Sequence, residues 1–113
     1  MCLSLLFFEG EMFMQNENTY KTELIKRIKK RFPGAMVFHL DPNTDGQGIP
    51  DLLILYKNKW AALEGKKHGR ATHRPNQDYY VGLMDDMSFA RFIYPENEEE
   101  VLDELQQAFQ PRR

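Results

Sequence analysis

The chain has 113 residues, enough for one domain with a modest core, and it carries no internal repeat or low-complexity tract. Its formal charge is -2, so the protein is not a polycation, and any nucleic-acid surface must come from where its basic residues lie. The single cysteine, Cys2, excludes an internal disulfide framework and a cysteine zinc cage, and it fits a reducing, cytoplasmic setting.

In chain order, Leu3 to Phe8 is apolar, but it lacks a basic flank and Glu9 and Glu11 follow at once, unlike a secretory signal. No stretch approaches the roughly 20 apolar residues of a membrane helix, so no membrane association is expected. Residues 1–13 read as an N-terminal extension ahead of a second start at Met12 or Met14, with an extra strand or a dimer-contacting arm as the rival reading. Residues 14–113 read as a single domain.

From Glu17 to Phe32 the spacing predicts a helix. Tyr20, Leu24, Ile28 and Phe32 form its apolar stripe, Lys21, Lys26, Lys29 and Lys30 its outer face, Asn16 or Asn18 its cap, and Pro33-Gly34 its end. Ala35 to Leu40 predicts a strand with His39 as a structural histidine, and Asp41 to Gly48 a loop in which Gly46 and Gly48 permit a sharp turn. Asp51 to Tyr56 and Lys59 to Glu64 flank Lys57-Asn58 as a hairpin. The unbroken run Leu52 to Leu55 predicts a strand covered on both faces, with Trp60 in the core. A basic loop follows, then a helix from Asn76 to Met87 with Tyr79, Tyr80, Leu83, Met84 and Met87 inward. Ser88 to Tyr94 reads as a strand. A last helix opens at Pro95 and Asn97, buries Val101, Leu102, Leu105 and Phe109, and turns Glu98, Glu99 and Glu100 to water. The order α-β-β-β-α-β-α predicts an α/β domain, a mixed sheet of about four strands flanked by helices.

The hairpin carries the chemistry. A two-residue turn at Lys57-Asn58 pairs Tyr56 with Lys59 and, stepping outward, Asp51 with Glu64. Opposed side chains have Cβ atoms about 5 Å apart, and diagonal ones about 7–8 Å, so either register lets both acids share one hard cation. Lys66 lies two residues beyond Glu64 and projects from the same face if the strand continues. By spacing alone, the three residues also read as a salt bridge at a sheet end.

Gly48-Ile49-Pro50-Asp51-Leu52-Leu53, then Glu64-Gly65-Lys66, then Gln77 resembles the virus-type replication-repair nuclease branch of the PD-(D/E)XK superfamily. The likeness is to its small stand-alone phage and bacterial members and spans roughly residues 17–109. It implies a restriction-endonuclease-like core and an Mg²⁺- or Mn²⁺-dependent endonuclease acting on DNA. Branched substrates such as Holliday junctions, a homodimer and the bacterial cytoplasm follow from the same likeness. Residue by residue, it makes Asp51, Glu64 and the Gly65 carbonyl metal ligands and Lys66 the catalytic lysine. Glu23 becomes the acid of the first helix, with Glu17 the competitor, and Gln77 orients the metal shell or the scissile phosphate.

Lys57, Lys67, Arg70 and Arg74, with His68 and His73, are the expected DNA contacts, since phosphates call for such clusters. His68 and His73 lack the further ligands that a zinc site needs. The rival readings are a DNA-binding module that keeps the fold without cleavage, and a restriction-type enzyme, for which the chain is short.

Overall fold

The computed structural model describes residues 16–41 and 47–111; the extension at 1–13 and Gly46 lie outside them. Helix α1 (Glu17–Arg31) is capped by Asn16, whose Oδ1 accepts the Thr19 N–H at 2.8 Å. Glu17 stands in its first turn and Lys29, Lys30 and Arg31 in its last, each matching the helix dipole. After Pro33, Gly34 turns the chain at φ +92°, and strand β1 (Met36–His39) begins.

Strands β2 (Leu52–Tyr56) and β3 (Lys59–Gly65) form the expected hairpin, with Lys57 at φ +58° in its turn. Their register pairs Leu52 with Leu63 and Tyr56 with Lys59, as the turn length implied. Strand β4 (Ala90–Ile93) runs parallel to β3, so helix α2 (Gln77–Met87) must cross over between them. Helix α3 (Glu98–Phe109) closes the chain. The result is an α/β domain with a mixed sheet ordered β1-β2-β3-β4 and helices on both faces.

One sheet face holds the main core. Tyr20, Leu24 and Ile28 of α1 and Val101, Leu105 and Phe109 of α3 enclose Leu52, Ile54, Leu63 and Ile93. Each fully enclosed aliphatic side chain contributes about 1.5–3 kcal/mol through area removed from water. Glu98 does not simply face water, because it accepts the Tyr20 hydroxyl at 3.0 Å and Arg27 Nε at 2.6 Å, tying α3 to α1.

The other face is thinner. Ala62, Val81 and Ala90 pack there under α2, with Trp60, Met84 and Phe92 beside them. The expected inward set on α2 needs correction: Val81 and Gln77 are its buried residues, while Tyr79, Leu83 and Met87 form an exposed stripe. Leu53 and Leu55 are half-buried, so β2 is fully covered on one face only. No helix among the described residues is long and apolar enough to cross a membrane.

Candidate active site

The site grows from the open end of the hairpin. Gly48 sits at φ +93°, and a Cβ there would lie 2.6 Å from Asn76 Cβ and 2.9 Å from the Pro75 carbonyl oxygen. The chain therefore enters β2 pressed against the start of α2, with Pro50 fully enclosed. Asp51 follows, 5% exposed, its carbonyl accepting the Leu40 N–H at 2.7 Å. Extending the observed register by one step sets Asp51 opposite Glu64, which is 3% exposed.

The two carboxylates are held differently. Asp51 Oδ1 accepts the Gly65 N–H at 3.2 Å, and its Oδ2 forms an ion pair with Lys21 of α1. Glu64 Oε2 lies 4.0 Å from Lys66 Nζ, and Glu64 Oε1 is buried with no hydrogen-bond partner. Asp51 Oδ2 likewise has no hydrogen bond of regular geometry, but the Lys21 ammonium compensates its charge. Burial first, then the neighbouring Asp51, pushes the Glu64 carboxyl up to about 7 against the pull of Lys21 and Lys66. Burial works against the charge on Lys21, but Asp51, with Glu17 and Glu64 behind it, outweighs that and raises its pKa.

Lys66 is 3% exposed, and its ammonium donates to Gln77 Oε1 at 2.8 Å and to the Thr72 carbonyl at 3.1 Å. Gln77 Oε1 also accepts the Arg74 N–H at 2.8 Å. Gln77 thus positions the lysine and anchors the end of the basic loop to α2. A cleft of about 270 Å³ opens over these groups, lined by Glu17, Lys21, His39, Asp51, Glu64 and Gln77. A neighbouring hollow of about 370 Å³ runs along Lys66, Lys67, His68, Arg70 and Arg74 and shares Glu17 and Arg74 with the cleft.

Four residues stand elsewhere than expected. Glu23 pairs with Lys26 on the outside of α1, and Glu17 is the acid in the cleft. Six residues along a helix is about 240° of rotation, whereas the four from Glu17 to Lys21 is about 40°, so Glu23 cannot share their face. Lys57 sits in the hairpin turn beside the Tyr56 ring, on the order of 20 Å from Asp51 at about 3.3 Å per strand residue. It stands apart from the basic hollow at the carboxylate end. His73 stacks on Phe92 at 4.0 Å and lies 2.8 Å from Asp78, flanking the hollow without lining it. His39 is exposed on the cleft wall, so it is no packed structural histidine.

Lys21 and His39 were not foreseen as cleft residues. The one sequence trace of Lys21 is the glycine at 65. A Cβ there would stand 2.9 Å from Lys21 Cγ, so the glycine makes room for the lysine stem.

Among the described residues no group of three or more His, Cys, Asp or Glu side chains forms a metal cage. The donors present are the Asp51 and Glu64 carboxylates. Strand geometry turns the Gly65 carbonyl to the same side as its N–H, the side of Asp51. Two carboxylates with water and phosphate suffice for Mg²⁺, and the unpartnered Glu64 Oε1 fits such a cation. No protein-family model, curated protein or solved structure matches the chain.

Proposed function

We propose that the protein is a metal-dependent DNA endonuclease of the PD-(D/E)XK type, hydrolysing phosphodiester bonds with Mg²⁺ or Mn²⁺. The observation that carries this reading is the buried pair Asp51 and Glu64, with one oxygen unpartnered, beside an enclosed Lys66. Enclosed charges are costly unless paired or metal-bound, and the contact with Lys66 leaves Glu64 Oε1 without a protein partner.

Asp51, Glu64 and the Gly65 carbonyl would hold the cation, which when bound acts as a Lewis acid on phosphate and lowers the pKa of bound water. Lys66, immobilised by Gln77 and Thr72, places a fixed positive charge at the developing oxyanion. Arg70, Arg74, Lys67 and His68 line the adjoining hollow and would carry the phosphate backbone. Branched DNA such as a four-way junction is the preferred substrate in this reading. A homodimer acting in replication, repair or recombination belongs to it, since two symmetric cuts need two sites.

A second reading has one observation in its favour. Lys21 already neutralises Asp51, as it would in a DNA-binding module that does not cleave.

The deciding experiment is cleavage of end-labelled junction, flap, duplex and single-stranded DNA with Mg²⁺, Mn²⁺ or EDTA. Metal-dependent cutting is expected, and Asp51→Asn and Lys66→Ala should each lower it by about a hundredfold or more. Folded wild type that binds DNA but never cuts would leave the binding module as the better account.

A further inference from the structure

Lys21 is built into the carboxylate pair. Its methylene stem crosses β3 over Gly65, where a Cβ would stand 2.9 Å from Cγ and 3.3 Å from Cε. The side chain is 11% exposed, and its ammonium sits on Asp51 Oδ2. The other Asp51 oxygen accepts the Gly65 N–H at 3.2 Å, and a cation that binds Asp51 beside Glu64 meets the Lys21 charge on this same carboxylate. Glu17 Oε2 lies 3.5 Å from the same ammonium, one helical turn back along the cleft wall.

We propose that Lys21 is the internal counter-ion of the carboxylate pair, which a divalent cation displaces from Asp51 onto Glu17 as it binds. The inference rests on the nuclease reading above. A fixed monovalent charge holds Asp51 beside Glu64 in the metal-free protein. A divalent ion wins the exchange because it attracts both carboxylates of the pair at once, whereas of those two Lys21 forms an ion pair only with Asp51. Glu17 keeps the displaced ammonium from being left enclosed and unpaired beside a new positive charge. In this scheme Lys21 and Glu17 are positioning residues, and together they set the affinity of the site.

Mn²⁺ binding to the full chain, read from the loss of the free-ion resonance at fixed pH without DNA, tests it. Lys21→Met keeps the stem and removes the charge, and it should bind Mn²⁺ about tenfold tighter. Lys21→Arg should stay within about threefold of wild type. Glu17→Gln should weaken binding about fivefold alone and have no effect in the Lys21→Met background, because its partner is gone. Should Lys21→Met not fold, Lys21→Gln serves in its place. Unchanged or weaker Mn²⁺ binding after loss of the Lys21 charge overturns the exchange and leaves the metal site standing. So does a Glu17→Gln effect that persists without Lys21, which would make Glu17 a ligand. No binding by wild type or any variant would sink the nuclease reading, and this proposal with it.

Discussion

Gln77 shows how much one neutral side chain can hold at this site. Its oxygen receives both the Lys66 ammonium and the Arg74 N–H, so Gln77→Leu removes one of the partners of an enclosed charge and frees a loop end. Urea denaturation should register a loss of about 1–3 kcal/mol. Glu64 sets the pH behaviour. Its carboxyl titrates near 7 in the metal-free folded state against an ordinary 4.5. The folded protein therefore keeps a proton that the unfolded chain has released. That contribution to stability is complete below about 4.5 and is lost as pH rises through 7. Thermal melts in EDTA should fall across that window, and saturating Mn²⁺ should flatten the decline, since a ligated Glu64 is already ionised. At this scale Asp51, Glu64 and Lys66 were legible because a two-residue turn and a period of two determine which side chains meet, whereas Gln77, on a helix, came only from the family resemblance. Lys21 and His39 were not, and Glu17 stood only as the rival of Glu23. Their places depend on how α1 and β1 are rotated against the sheet end, which no local pattern encodes.

The glycines separate local from tertiary constraint among the elements. Gly48→Ala combines a left-handed φ with backbone and side-chain atoms inside 3 Å, so it should cost about 2–4 kcal/mol and drag α2 and Gln77 out of place. Gly34→Ala has a similar φ but nothing within 4 Å and should cost only about 1 kcal/mol. Gly82→Ala, in open space on α2, should stabilise by about 0.5–1 kcal/mol. Melting temperatures of the three proteins would give that order, and a Gly48→Ala effect no larger than that of Gly34→Ala would refute the close approach. Helices α1 and α3 could be read from their stripes because one side of each faces a deep core. Helix α2 was misread because it lies on the thin layer, where apolar residues at helical spacing need not be buried.

The net charge of the whole molecule says little; placement says more. Lys67, Arg70 and Arg74 gather at the carboxylate end, while Lys57 stands at the far turn. Arg70→Ala or Arg74→Ala should weaken DNA binding and lower the slope of log affinity against log salt by about 1. Lys57→Ala should leave both unchanged, and a matching loss there, measured by fluorescence anisotropy, would mean that DNA follows another path. The architecture itself was readable from element order, because a hairpin, then a helix, then a strand leaves few ways to complete a sheet.

The hairpin has a further consequence for how the molecule assembles. Asp51 and Glu64 are brought together by a tight turn, whereas Lys21 arrives only when α1 docks across a much longer stretch of chain. Local contacts form sooner than distant ones, so an early ensemble holds two converging acids before their cation is in reach. Repulsion between them would then raise the barrier to folding. Refolding in stopped flow should speed up as pH drops toward 5 or when Mn²⁺ is present, and Glu64→Gln should refold fast at every pH. The pair proposed for catalysis would thereby act as a brake on the birth of its own fold.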